Sequence, residues 1–144
     1  MHKKILVAID IEDTKQPAAA LDAAADLANF YKASVHLFHA IPTIPAYVEV
    51  EMPSDTWERT RSTTDAMMKA YSQSDRFKGI KTTYSVGEGD VYRSVLDAAN
   101  ESGADLIVIC AHRKGFADFL IGSNAARIVS HAKCSVYVVR DAIA

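Results

Sequence analysis

Short apolar runs and helically spaced apolar stripes alternate along the whole chain. Ile5-Leu6-Val7-Ala8-Ile9 is an unbroken apolar run, as expected of a strand covered on both faces. From about Asp13 to Ala33 the chain is rich in alanine, with Leu21, Ala24, Ala25, Ala28 and Tyr31 at the spacing of one helix face. Pro17 falls in the first turn of that helix, where its missing N–H costs little. A second strand is expected from about Ser34 to Ala40. Pro42, Pro45 and Pro53 then exclude long regular structure between Ile41 and Asp55, a stretch longer than the usual connection of about 2–6 residues. A helix from about Ser54 to Ser74 offers Trp57, Met67, Met68 and Tyr71 to the core. Ile80, Thr82, Tyr84 and Val86 alternate with Lys81, Thr83 and Ser85, the period of a half-exposed strand at a sheet edge.

The last third continues the alternation and adds chemistry. Asp90 starts a helix through Tyr92, Val95, Leu96 and Ala99 that should stop at Gly103. Leu106 to Ile109 reads as a buried strand and empties into a basic loop, His112-Arg113-Lys114-Gly115. Gly122-Ser123-Asn124 opens a helix to about Ala132, and Val136, Val138 and Val139 mark a closing strand. Five strands alternating with four helices predict an α/β domain with a parallel sheet and crossover helices. At 144 residues the chain is long enough for one domain with a sizeable core. A strand, a cationic loop and a glycine-serine helix start form a geometry that holds phosphate, since free N–H groups and the helix dipole converge there.

These pieces together resemble the universal stress protein family. Ile5-Leu6-Val7-Ala8-Ile9-Asp10 matches the family's opening strand with its terminal Asp, Val35 to Ala40 looks like its second strand, and Gly89 before a helix looks like its third crossover. Cys134-Ser135-Val136-Tyr137-Val138-Val139-Arg140 is similar to its last strand. The family's usual phosphate pattern is Gly-x-x-Gly, nine residues, then Gly-Ser or Gly-Thr. Here the final pair is Gly122-Ser123, but Cys110 and Arg113 stand where the two earlier glycines are usual, and eight residues separate Arg113 from Gly122. The resemblance implies a Rossmann-like sheet of order 3-2-1-4-5 with helices on both faces. In that order the winding reverses between strands one and four, the place where such sheets bind ligands.

The resemblance further implies an adenine nucleotide, ATP or AMP, with Mg²⁺, contacted at Ala8, Ile9, Asp10, Ala40, Cys110, His112, Arg113, Gly122, Ser123 and Asn124. Asp10 corresponds to a family Asp that contacts the nucleoside, and Ala40 to a position whose backbone reads the adenine edge. Physical alternatives stand beside each role. Asp10 could share helix capping with Asp13 or Thr14, Ser123 could be a plain N-cap, and His112, Arg113 and Lys114 could be a solvated surface run. If Arg113 does meet phosphate, its planar fork replaces backbone amides. His39, alone in its strand, reads as structural, and His36 and His131 lack metal-ligand spacing.

Composition narrows the class. A net charge of −2 gives no basic surplus for nucleic acid, and no apolar run approaches the roughly 18–20 residues that span a bilayer. The start, Met1-His2-Lys3-Lys4 before a short strand, does not read as a signal peptide. Cys110 and Cys134 fit a reducing compartment, as small hydrophobes rather than a disulfide framework. A cytoplasmic protein is expected. The sequence has no Gly-x-x-x-x-Gly-Lys-Ser/Thr loop, no Gly-x-Gly-x-x-Gly fingerprint and no Gly-x-Ser-x-Gly elbow. The expectation is a nucleotide-binding regulatory protein of the stress response, and a homodimer through its last strands. A slow ATP hydrolase or phosphotransferase at the same site, or an interaction protein without nucleotide, are the alternatives.

Overall fold

A computed structural model describes residues 1–9, 16–43, 45–111 and 123–140 of the chain. Five strands, β1 (Lys4–Ala8), β2 (Ser34–Ile41), β3 (Thr82–Glu88), β4 (Leu106–Cys110) and β5 (Ser135–Val139), form one sheet of order β3-β2-β1-β4-β5. Every neighbouring pair is parallel. The helices are α1 (Gln16–Tyr31), α2 (Ala46–Glu49), α3 (Thr56–Ser72), α4 (Val91–Ser102) and α5 (Ser123–His131), with a 3₁₀ turn at Asp75–Phe77.

The unbroken apolar run of β1 has a direct cause, because its alternate side chains enter two different cores. Ile5, Val7 and Ile9 join Val35, Leu37, Leu106 and Val108 beneath Leu21, Ala24 and Ala28 of α1 and Met68 of α3. Leu6 joins Phe38, Ile107 and Ile109 beneath Val95, Ala98 and Ala99 of α4 and Ala125 and Ile128 of α5. Helices therefore cover both faces. Small residues on α1 and α4 let these helices approach the sheet closely. The start of the sheet is tied down by Asp105, whose carboxylate accepts the N–H groups of Lys3 at 2.8 Å and Lys4 at 3.3 Å.

The elements agree with the apolar pattern, with local differences. α1 ends at Tyr31 because Lys32 turns left-handed, with φ 57°, and the Ala33 N–H returns to the Ala28 carbonyl at 2.9 Å. β2 runs one residue further than expected, since Ile41 still pairs with Glu88. The proline-rich stretch holds one short helix, α2, directly after Pro45. On α3, Met68 is fully buried while Trp57, Met67 and Tyr71 are half-buried, and Thr64 is buried without having been expected. Ile80 precedes β3 rather than lying within it. α4 stops at Gly103, whose φ of 72° is the left-handed turn that glycine adopts without a Cβ penalty.

β3 is an edge strand, as its period of two predicts. Its polar face is not simply hydrated, however. The two ring nitrogens of His36 lie 2.7 Å from the Thr83 hydroxyl and 2.8 Å from the Ser85 hydroxyl. Burial, reinforced by the Lys4 ammonium, holds the His36 pKa below its ordinary value. The folded state then binds this proton less readily than the unfolded chain. The resulting stability is complete above the unfolded pKa, about 6.5, and is lost as pH falls through the lower folded value. Chemical denaturation between about pH 8 and pH 5 should show the protein weakening below about 6.5, and His36→Gln should flatten that part of the profile. Superimposable profiles would show that the His36 box carries no such coupling.

Phe38 crosses to β3 and closes over Gly87. A Cβ placed on Gly87 would sit 2.6 Å from the tip of the Phe38 ring, and Phe38 is buried among the residues of the α4 face. Gly87→Ala should therefore destabilise the fold by about 1–3 kcal/mol, the usual range for overpacking. Urea denaturation of Gly87→Ala alone and with Phe38→Leu checks this, since the smaller side chain should recover much of the loss.

Candidate functional site

The strand order reverses between β1 and β4, and the helices that follow them, α1 and α5, pack on opposite faces of the sheet, so the C-terminal edge of these two strands is where such folds form a ligand crevice. The register brings Ile5, Leu6 and Val7 of β1 beside Leu106, Ile107 and Val108 of β4. Ala8 and Ile9 on one side and Cys110 and Ala111 on the other therefore end at this edge. Ala40 and Ile41 of β2 reach the same level, and the first turns of α4 and α5 start there. Gly89, with φ 111°, makes the turn from β3 into α4 and donates its N–H to the Ile41 carbonyl at 3.1 Å.

Of the residues expected at the site, the fold brings Ala8, Ile9, Ala40, Cys110 and the start of α5 to one edge. Ile9 and Ala40 are buried, and Ala8 and Cys110 are half-buried. Asn124 is exposed in the first turn of α5, and Ser123 opens that helix. Asp10, His112, Arg113, Lys114 and Gly122 lie outside the described residues, as do Asp13, Thr14 and the Ser123 side chain. Cys110 and Cys134 are both thiols rather than disulfide partners, and burial pushes the Cys134 thiol above its ordinary pKa.

The backbone at this edge has a specific donor and acceptor pattern. Along β2, Ser34 and Phe38 bond toward β1: the Ser34 N–H meets the Lys3 carbonyl at 3.0 Å and the Ile9 N–H meets the Phe38 carbonyl at 2.8 Å. Val35 and Ile41 bond toward β3, through the Val35 N–H to Lys81 at 2.9 Å and the Gly89 N–H to Ile41. By this alternation Ala40 turns both its N–H and its C=O toward β1. The β1–β2 pairing ends at Ala8 and Phe38, however. The next rung, from the Ala40 N–H to the Ile9 carbonyl, is not made among the described residues. The Ile9 carbonyl instead lies 2.7 Å from Nδ1 of His39.

Reading His39 as structural is consistent with its burial and this bond, but its partner, a backbone group at the crevice, was not anticipated. The available signal was positional. His39 shares its face with Val35 and Leu37, and the register that pairs Ala8 with Phe38 points Ile9 at His39. A second missed feature is the packing of Tyr92, in the first turn of α4, against α5. The Arg127 guanidinium lies 5.2 Å and the His131 ring 5.9 Å from the Tyr92 ring centre, and Arg93 Nε donates to the Tyr92 hydroxyl at 3.1 Å. Arg127 sits one turn after Ser123, so cationic charge flanks the helix starts. No group of three or more His, Cys, Asp or Glu among the described residues could hold a metal ion.

Comparison with known proteins matches this geometry to one family. A model of the Universal stress protein family matches residues 1–140, and the chain belongs to that family. It is 27% identical over 147 residues to Universal stress protein MJ0531 of Methanocaldococcus jannaschii, across 97% of this chain and 83% of that protein. Its fold is similar to that of a universal stress protein solved in complex with cAMP, with a TM-score of 0.73 at 17% identity, covering 98% of this chain and 99% of that one. It is also similar to the universal stress protein of Archaeoglobus fulgidus in complex with dAMP, with a TM-score of 0.66 at 19% identity, covering 96% and 98%.

Proposed function

We propose that this member of the universal stress protein family is a cytoplasmic regulatory protein that binds an adenine nucleotide, ATP or AMP, at the C-terminal edge of β1, β2 and β4. The observation that carries the reading is the Ala40 backbone edge. A buried N–H beside a C=O of the same residue, both directed past the end of β1, offers one donor and one acceptor to a planar ring. Adenine presents the complement, an amino donor next to a ring-nitrogen acceptor. Guanine presents an acceptor next to a donor and would set N–H against N–H. Buried backbone donors are almost always paired, so a base here satisfies a group that the ladder leaves open. The solved complexes of two family members with cAMP and dAMP support the choice, since both ligands contain adenine.

The ribose then lies toward Ala8, Ile9 and Asp10. The phosphates lie between Cys110 and the start of α5, where Gly122, Ser123 and Asn124 supply N–H groups and the helix dipole. His112 and Arg113 supply charge in place of the glycines usual in the family. Mg²⁺ would enter on the phosphates of ATP, as is common for this ion, rather than in a cage of protein ligands.

Calorimetry with protein freed of bound nucleotide tests both halves of the site. ATP and AMP should bind, and GTP and GMP should bind roughly a hundredfold more weakly or not at all, because opposed donors leave buried polar groups unpaired. In Arg113→Ala, ATP should lose about tenfold or more while adenosine is spared, since a charge-assisted phosphate contact is worth about 1.5–3 kcal/mol. Equal affinity for adenine and guanine nucleotides, or no ATP or AMP binding at millimolar level, would overturn the proposal.

The same proposal includes a homodimer formed by antiparallel pairing of two β5 strands. β5 is a sheet edge, and Tyr137 on it is 46% exposed, with Val136, Val138 and Val139 half-buried. A β-prone apolar edge of this kind is poorly protected against pairing, and a two-fold axis closes the assembly. Val138→Pro deletes a backbone donor and should give a monomer by sedimentation. Sedimentation of the unaltered protein as a monomer at tens of micromolar is the result that rules the dimer out.

A further inference from the structure

We propose that His39 is a positioning residue that ends the β1–β2 ladder one rung early and so holds the Ala40 backbone edge open for a ligand base. The role for the base rests on the adenine-site reading above, whereas the role in the ladder does not. Nδ1 of His39 lies 2.7 Å from the Ile9 carbonyl oxygen. A carbonyl only accepts, so Nδ1 carries the proton and donates. Without this bond the register carries the pairing on: the Ile9 N–H already meets Phe38 at 2.8 Å, and the Ile9 carbonyl would next receive the Ala40 N–H. Ile9 and Ala40 are each only 5% exposed, and His39 is 9% exposed, so water does not readily take over either role. The Ile9 carbonyl thus has two candidate donors, one side chain and one backbone. The imidazole holds it on the face of the sheet shared with Val35 and Leu37, away from the Ala40 N–H.

Loss of the imidazole leaves a buried carbonyl without its donor. The nearest remedy is the missing rung, which repairs Ile9 and consumes the group that would read the base. The chemistry of the replacement decides the outcome. Asparagine places its Nδ2 on the same branch as His Nδ1 and can donate to Ile9. Glutamine carries its amide one bond further out, closer to where Nε2 lies, and leucine has no donor at all.

Amide hydrogen exchange on ¹⁵N-labelled protein without nucleotide tests the ladder. The Ala40 amide should exchange roughly tenfold or more faster in the unaltered protein and in His39→Asn than in His39→Leu and His39→Gln, where the new rung protects it. AMP and GMP titrations of the same four proteins test the consequence. AMP should weaken about tenfold, the usual worth of one hydrogen bond, in the Leu and Gln variants but not in His39→Asn, with the preference for adenine shrinking in step. If His39→Leu fails to fold, the Asn and Gln pair carries the comparison. An Ala40 amide that exchanges no faster in the unaltered protein than in His39→Leu, or Asn and Gln variants with equal exchange, overturns the role of His39. The expected exchange pattern without AMP binding by the unaltered protein supports that role while defeating the nucleotide reading.

Discussion

A parallel sheet covered on both faces must satisfy its backbone polar groups strand against strand, because no water reaches them from above or below. That constraint shapes most of this molecule. It makes β1 an unbroken apolar run, since Ile5 and Val7 enter one core and Leu6 the other. It also makes the strand ends the places where backbone donors and acceptors can be offered to something other than the protein. At the N-terminal edge the groups are closed off, with the Asp105 carboxylate accepting from Lys3 and Lys4. At the C-terminal edge the pairing of β1 with β2 stops at Ala8 and Phe38. The asymmetry between the two edges places the candidate site.

Much of this was legible in the sequence because it depends on period and punctuation. The two-residue period of Tyr84 and Val86 against Thr83 and Ser85 marked an edge strand, and Gly103 marked the end of a helix. The resemblance supplied the strand order that periodicity alone leaves open. The features that were not legible depend on register, which no local pattern states. His36 reads as a solitary histidine until β2 and β3 are paired and bring Thr83 and Ser85 to its two ring nitrogens. His39 likewise acquires meaning only once it stands opposite Ile9. Lys32 carried no signal for its left-handed turn, which glycine or asparagine would have announced.

The proposed phosphate end of the site was the easier half to suspect and is the half whose sequence departs more from the family's pattern. Family likeness places glycines where Cys110 and Arg113 stand, and the spacing from Arg113 to Gly122 is one residue shorter than the family's. Glycine in such loops lets amides approach an anion, a short-range and directional device. An arginine reaches further and grips with a planar fork. Replacing one by the other exchanges backbone geometry for charge. Recognition of phosphate would then become more sensitive to salt, because attraction between full charges is screened by ions more strongly than short-range backbone N–H contacts are.

The proposed base end has a different economy, since side-chain identity at Ala40 would be nearly irrelevant there. Any residue but proline in that position presents the same N–H and C=O, so under the proposed reading specificity for a ring would reside in where the ladder stops rather than in which residue is present. The sequence requirement moves to the neighbour that controls the stopping point, a donor able to hold the Ile9 carbonyl out of the pairing. A histidine in a buried strand would ordinarily be weakly tolerated among Val35, Leu37 and Ile41. Its cost is offset by the bond to Ile9, which satisfies one buried donor and one buried acceptor at once. The same bond can therefore stabilise the core and shape the crevice, and a polar side chain inside an otherwise apolar strand has a physical reason to be there.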